Sequence, residues 1–346
     1  MSLTNSRILI TGASGSLGKQ LVCELLRRDI KPIAQVRPSS ETAYLDKTGI
    51  DKRVCDVSAR ESFASLVESV DAVIHTAAWV NFRQDRPTQF VSINTMAAVN
   101  LFKAAAAAGV KRFVQVSTVA AIGARERRGN AQATELRESD LLNEDSRFNL
   151  DHLRIPYIQS KQAAETELRK VAAESDTELV IVNPSVIIAP SRTGDDQGKA
   201  RKRLNHWLLP NLLNSVNLVD LRDVAPGVIA ALEKGRPGER YILAGDNIIV
   251  RDLLLDISSI LGLLPHLMRI PRPLLNTSAR AAKSFAKLTG RGKVSFYPDL
   301  IRLLDYDWVY SSMKARRELG YTSRSIQKSL EDLLSNNMNG SYQKPG

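Results

Sequence analysis

The sequence predicts an α/β chain built on a doubly wound parallel sheet, with a smaller C-terminal lobe. Three observations predict it. Short, continuously apolar, β-branched runs alternate with helical patterns through residues 1–120. The runs do not alternate polar with apolar residues, so each strand is expected to be covered on both faces, as in parallel sheets. A glycine-rich turn, Thr11 to Gly18, joins the first run to the first helical pattern, as doubly wound folds place it.

The elements follow in order. Arg7–Thr11, Pro32–Arg37, Lys52–Cys55, Ala72–Thr76 and Arg112–Ser117 read as strands. Between them, Leu17–Arg28, Ala59–Ser69 and Thr88–Ala108 read as helices. The last of these ends in the strong helix formers Ala104–Ala108 and is stopped by Gly109. Gly123–Asp151 is polar and irregular, with Arg125, Arg127 and Arg128 close together, and is expected to be a surface loop with short helices. Ile155–Glu174 reads as a helix and Leu179–Asn183 as a buried strand. Beyond Pro184 short elements are spaced by Pro and Gly. The division expected is a dinucleotide-binding domain over 1–184, with a return to the sheet over about 216–245. A substrate lobe occupies most of 185–335, and a disordered tail follows over 336–346.

Composition narrows the class. The 346 residues are 43% hydrophobic and 25% charged, as in ordinary globular proteins. No uninterrupted apolar run approaches the ~20 residues of a membrane span. No secretory pattern opens the chain, and its two cysteines, Cys23 and Cys55, stand in no metal-binding spacing. The expectation is a cytoplasmic protein with reduced thiols and no metal. The net charge of +11 suits anionic partners. Its sharpest cluster, Lys199, Arg201, Lys202 and Arg203, lacks interleaved aromatics, so no nucleic-acid partner is expected. Leu274–Leu288 carries Arg280, Lys283 and Lys287 among apolar residues; a helix packed on its own lobe is favoured over membrane-surface contact.

Two motifs carry binding chemistry. In Thr11-Gly12-Ala13-Ser14-Gly15-Ser16-Leu17-Gly18, the glycines allow a tight turn and close approach to a pyrophosphate. The helix that follows offers free N–H groups and a positive dipole end. The residues assigned to the dinucleotide are Gly12, Ser14, Gly15, Ser16, Leu17 and Gly18. At the end of the second strand the chain reads Gln35-Val36-Arg37-Pro38-Ser39-Ser40, with no carboxylate until Glu41 where one normally holds a ribose 2′-hydroxyl. Arg37 can pair with a 2′-phosphate instead, which favours NADP(H), with NAD(H) still possible.

The third motif is Tyr157-Ile158-Gln159-Ser160-Lys161. Positions i and i+4 share a helix face, which brings Lys161 beside Tyr157. A tyrosine titrates near 10, and lowering it toward 7 takes about 4 kcal/mol at ~1.36 kcal/mol per unit. A neighbouring ammonium and a nicotinamide cation could supply that.

Taken together, the motifs resemble the extended short-chain dehydrogenases/reductases. The set is the glycine loop, Asp56-Val57 after the third strand, His75-Thr76-Ala77-Ala78 after the fourth, Ser117-Thr118 with Gly123 after the fifth, and Pro156-Tyr157 to Lys161. The C-terminal stretch, with Gly238–Leu243 and Arg317–Tyr321, looks like the dihydroflavonol-reductase-like and hopanoid-associated epimerase-like branch. The resemblance implies a Rossmann fold in which Asp56 bonds the adenine and Val57 touches its ring. It implies that Ala77 and Ala78 admit the cofactor, and that Asn183, Pro184 and Val186 lie beside the nicotinamide. It implies that Thr118 polarises a substrate carbonyl, with Ser117 as the neighbouring candidate. Tyr157 would move the proton, and Lys161 would also hold the ribose. Asn94 is either a cofactor-site residue or a packing amide. Trp79, Val80, Asn81, Phe82 and Trp207 fall where the substrate is lined, and Arg192 or Arg222 could meet an anionic substrate. His206 and Asp223 read as packing and scaffold residues. Homodimers are common in the family.

These readings favour an NADP(H)-dependent oxidoreductase acting on a ketone or secondary alcohol. The alternative is a nucleotide-sugar epimerase or dehydratase with tightly bound NAD. Asn183-Pro184, where such epimerases usually carry Arg-Pro, argues for the reductase. A non-catalytic dinucleotide sensor would have no use for Tyr157, Lys161 and Thr118.

Overall fold

The computed structural model describes Met1 and residues 3–57, 63–80, 87–127, 136–190, 198, 208–210, 214–263, 266–268 and 302–334. Asn81, Phe82, Arg192, the basic cluster 199–203, His206, Trp207, the segment 274–288 and the tail 336–346 lie outside the described residues.

The first half alternates strand and helix as expected. It runs β1 (Ile8–Thr11), α1 (Ser16–Leu26), β2 (Ile33–Val36), α2 (Ala43–Asp46), β3 (Lys52–Val54), α3 (Phe63–Leu66) and β4 (Ala72–His75). Then come α4 (Pro87–Phe90), a π-helical turn (Val91–Met96), α5 (Ala97–Ala107), β5 (Arg112–Val116), β6 (Arg125–Glu126), α6 (Pro156–Ala172) and β7 (Glu178–Pro184). The remaining elements are β8 (Val186–Ile188), β9 (Leu208–Pro210), β10 (Ser215–Asp220), α7 (Leu221–Lys234), β11 (Arg240–Leu243), β12 (Asp246–Ile249) and α8 (Val250–Ile260). Last are β13 (His266–Met268), β14 (Tyr306–Asp307), α9 (Met313–Leu319) and α10 (Ile326–Leu334).

Seven strands form one parallel sheet in the order β11-β7-β5-β4-β1-β2-β3. The chain leaves β1 in one direction toward β3, then returns to place β4 on the other side of β1. Ligands of such sheets bind at this reversal, beyond the carboxyl ends of the strands.

The apolar runs are explained by burial on both faces. Ile8 and Ile10 of β1 face Leu21, Val22 and Leu25 of α1 and Val228 and Leu232 of α7. Leu9, one residue between them, faces the other way, into a core with Phe63, Leu101, Phe102, Phe113 and Leu168. Phe102 meets Phe113 edge to face at 5.3 Å between ring centroids. The helical stretch Thr88–Ala107 is long and apolar enough to cross a membrane by length and composition, against the expectation of no such stretch. Half of it is buried inside the protein, through Ala98, Leu101, Phe102 and Ala105.

The return to the sheet is made by α7 and β11. The preceding strand, β10, instead joins a separate sheet, β12-β10-β8, parallel to β8 and antiparallel to β12. Its partners are local because Leu218 packs with Ile326 and Leu330 of α10 rather than with the main core. Buried Asp307 of β14 fastens the smaller lobe by accepting from the Ser215 N–H at 2.8 Å and from Arg125 at 2.9 Å. The expected loop over 123–151 contains β6 and one short 3-10 turn, Glu138–Asp140, among its described residues.

Candidate active site

The glycine loop is shaped by backbone proximity. Gly12 has φ +70°, and a Cβ there would stand 2.9 Å from Thr76 Oγ1 and 3.0 Å from the Ala77 backbone. A Cβ on Gly18 would strike the Gly12 carbonyl and lie 2.7 Å from Ala13 Cα. Glycine at both positions therefore lets α1 start directly against the loop. No side chain caps α1 at Gly15, so its first N–H groups are left for an anion.

A residue the sequence reading passed over holds this loop. Buried Gln35 accepts from the Gly12 N–H at 2.8 Å, and its amide donates to the Cys55 carbonyl at 2.6 Å. It thus ties the ends of β1, β2 and β3 together. Beyond β2, Arg37 is exposed, and Ser40 Oγ accepts from the Arg37 N–H and from Ser14 Oγ, both at 3.1 Å. Asp56 is exposed beyond β3, whereas Val57 is buried.

At the end of β4, His75 Nδ1 lies 2.7 Å from Thr11 Oγ1, and Thr76 Oγ1 donates to the Thr11 carbonyl at 2.6 Å. Burial drives His75 down to about 3, and the Lys161 ammonium pushes the same way, so the ring is neutral. Ala77 and Ala78 follow, half-buried. Asn94, in the π-helical turn, resolves as a bracket. It accepts from the Trp79 N–H at 2.7 Å and donates to the Trp79 carbonyl at 3.1 Å and to Ser160 Oγ at 3.0 Å. Its amide is committed to holding Trp79 against α6, and it shapes the site through them. Val80, beyond Trp79, is exposed.

The residues expected to handle the proton lie at the start of α6 and just beyond β5. Pro156 starts α6, a position where its missing N–H costs nothing. The Thr118 and Tyr157 hydroxyls are hydrogen-bonded, and this contact favours Thr118 over Ser117 as the carbonyl-polarising residue. Thr118 is held extended and caps a 3-10 turn by accepting from the Ala120 N–H. Burial pushes Tyr157 up to about 12, and the Thr118 hydrogen bond pulls in the opposite direction. The expected drop toward neutrality is therefore absent from the protein's own contribution: burial wins. Lys161, buried, donates to the Val116 carbonyl at 2.8 Å. Burial lowers it to about 8 against the pull of Glu165.

Asn183 on β7 donates to the Thr118 carbonyl at 2.9 Å and to Glu165 Oε1 at 2.6 Å. Pro184 and Val186 follow at the carboxyl end of β7, with Val186 exposed. Arg222 is unavailable to an anionic substrate, because buried Asp220 and Asp332 hold it at 2.7 and 3.0 Å. Asp223 bonds Arg324, a scaffold role.

The residues present fit a nicotinamide dinucleotide. The glycine cradle and uncapped α1 suit a pyrophosphate. Further along the same sheet edge, buried Ser117 Oγ, Asn183 Oδ1 and Ser185 Oγ have no hydrogen-bond partner among the described residues. Such atoms at the ends of β5 and β7 suit the polar amide and ribose of a nicotinamide.

The fold and this site define a dinucleotide-binding oxidoreductase with a hydroxyl pair and a buried lysine. Residues 8–244 match the model of the NAD dependent epimerase/dehydratase family, and the chain belongs to that family. It is 31% identical over 342 residues to the "Putative dihydroflavonol 4-reductase" of Synechocystis sp., covering 97% of this chain and 95% of that protein. It is 29% identical to sterol demethylase protein B of Methylococcus capsulatus, covering 94% and 96%. Among solved structures, that of gox2253 superposes with a TM-score of 0.78 at 27% identity, covering 98% of this chain and all of that one. The chain is an NAD(P)-dependent reductase or dehydrogenase of the extended short-chain type.

Proposed function

We propose that this enzyme interconverts a ketone and a secondary alcohol, prefers NADP(H), and uses Tyr157 as its proton donor in reduction. The observation that carries the reading is the Tyr157–Thr118 hydroxyl pair, one helical turn from buried Lys161. A tyrosine near 12 stays protonated at neutral pH, which is the form that reduction of a ketone needs. Bound nicotinamide supplies the hydride donor or acceptor. Thr118 and Tyr157 together offer two hydroxyl hydrogens to one carbonyl oxygen, which stabilises developing alkoxide charge. Lys161, ammonium below about 8, holds positive charge beside this centre.

The NADP(H) preference rests on Arg37 and Ser40 beyond β2, where the first carboxylate is Glu41, which pairs with Lys19 at 3.5 Å. Three features favour a small carbonyl substrate over a nucleotide sugar. Tyr157 packs among apolar neighbours that include Ile155, Ile158 and Trp308. Arg222 is consumed by structural carboxylates. The two relatives above carry names tied to a flavonoid reductase and to sterol demethylation rather than to sugars.

Separate titrations with NADPH and NADH, followed by a panel of cyclic ketones, test this. Tighter NADPH binding and NADPH oxidation by a ketone are expected. Tighter NADH binding would sink the cofactor preference. Protein that purifies with NAD and is stabilised by a UDP-sugar would favour the epimerase. Tyr157→Phe should cut turnover by about 10²–10⁴-fold, the usual value of a general acid, while leaving NADPH affinity within about twofold.

A further inference from the structure

We propose that Glu165 is a positioning residue of this site, linking Arg240 to Asn183 and Thr118 and standing as the counter-charge one helical turn from Lys161. Tyr157, Lys161 and Glu165 stand at i, i+4 and i+8 on α6, so they share a face. The Glu165 residue is 5% exposed. One carboxylate oxygen accepts from Asn183 at 2.6 Å, and the same Asn183 nitrogen donates to the Thr118 carbonyl at 2.9 Å. The other oxygen faces Arg240 Nη1 at 3.7 Å. Arg240, on edge strand β11, is fixed by the Glu144 and Ser146 carbonyls at 2.7 and 3.1 Å. A chain of contacts thus runs from the sheet edge to the backbone of the residue that bonds Tyr157.

The charged surroundings decide what this does. Facing Lys161 are neutral His75 from β4 and Glu165 from its own helix, with Tyr157 one turn earlier on the same helix face. Facing Glu165 are Lys161, Arg240 from β11 and Arg169 one turn further along α6, with Glu239 beyond Arg169. Glu144 lies behind Arg240. Glu165 is therefore the acidic group that keeps buried Lys161 charged against its desolvation, and Arg240 draws on the same carboxylate. A purely structural Glu165–Arg240 pair would hold α6 to β11 and leave Lys161 untouched.

The inference rests on the Tyr157–Lys161 reading, but the titration of Lys161 is measured without turnover, so the two fail separately. In the full chain with isotopically labelled lysine, the Lys161 signal is assigned by its loss in Lys161→Met and followed by NMR against pH. In Glu165→Gln, which can still accept from Asn183, the Lys161 midpoint should fall by about one pH unit. In Arg240→Gln, which frees Glu165 from its competing cation, the midpoint should rise. Opposite shifts support the proposal. An unchanged midpoint in either folded variant overturns it, as does a shift of both in the same direction. Should Glu165→Gln fail to fold, Arg240→Gln alone decides, a rise supporting the proposal and no change overturning it.

Discussion

At the scale of single residues, the site works by setting protonation states through burial. Lys161 is the most exposed to pH of these, because burial has brought it down to about 8, close to working conditions. A lysine depressed in this way is charged below that value and neutral above it. In the proposed reaction, reduction needs both the Lys161 ammonium and the protonated Tyr157, so its rate should fall as pH rises through about 8. A kcat/KM profile for reduction checks this, and a flat response to pH 10 would contradict it. Tyr157 itself stays protonated across that range, so the limb belongs to the lysine. Tyr157 and Lys161 were legible in the sequence because i, i+4 spacing puts them on one helix face, and Thr118 through the resemblance to the short-chain dehydrogenases/reductases. Gln35 and Glu165 were not. Gln35 finds its partner at Cys55, at the end of the next strand, and Glu165 finds Asn183 and Arg240 on two other strands. Only the folded sheet brings those pairs together, although a lone glutamine inside the apolar run of β2 was a signal of buried polar work.

At the scale of elements, the β1–α1 junction is the most demanding. Its tightness was readable from glycine spacing, and its support was not. Gly18 lets α1 begin directly against the loop, and Gln35 keeps the loop on the sheet. Gly18→Ala should force the loop away from the helix N-terminus. Losing two charge-assisted hydrogen bonds to phosphate, at about 1.5 kcal/mol each, weakens binding about a hundredfold. Overpacking should also cost roughly 1–3 kcal/mol of stability. NADPH titration by fluorescence beside a thermal melt separates the two. Affinity equal to wild type would contradict the close approach. The α4–α5 stretch carries the opposite lesson. Its periodicity predicts one continuous helix, whereas the structure has a π-helical turn at Val91–Met96. That widened turn contains Asn94, which brackets Trp79, so a local departure from regular helix serves the site.

At the scale of the whole molecule, a parallel sheet covered on both faces follows from the apolar pattern, whereas the placement of β10 in a second sheet depends on packing against α10 that no local pattern encodes. The same sheet carries a stability consequence. His75 sits at the end of β4, at the strand reversal, 1% exposed, with Nε2 unpartnered among the described residues. Its folded value of about 3 lies below the 6.5 of an open chain. The unfolded chain therefore binds the proton first, and the folded state loses stability as pH falls below about 6.5 toward 3. Glu144, raised by burial, acts with the opposite sign, so an absolute melting curve mixes the two. The comparison that isolates His75 is wild type against His75→Gln between pH 7 and 5, above the range where most carboxylates titrate. Wild type should lose melting temperature across that interval more steeply than His75→Gln. Parallel curves would mean that His75 is solvated or charged in the folded protein, and the compact strand reversal described for β1 and β4 would then be wrong at its centre.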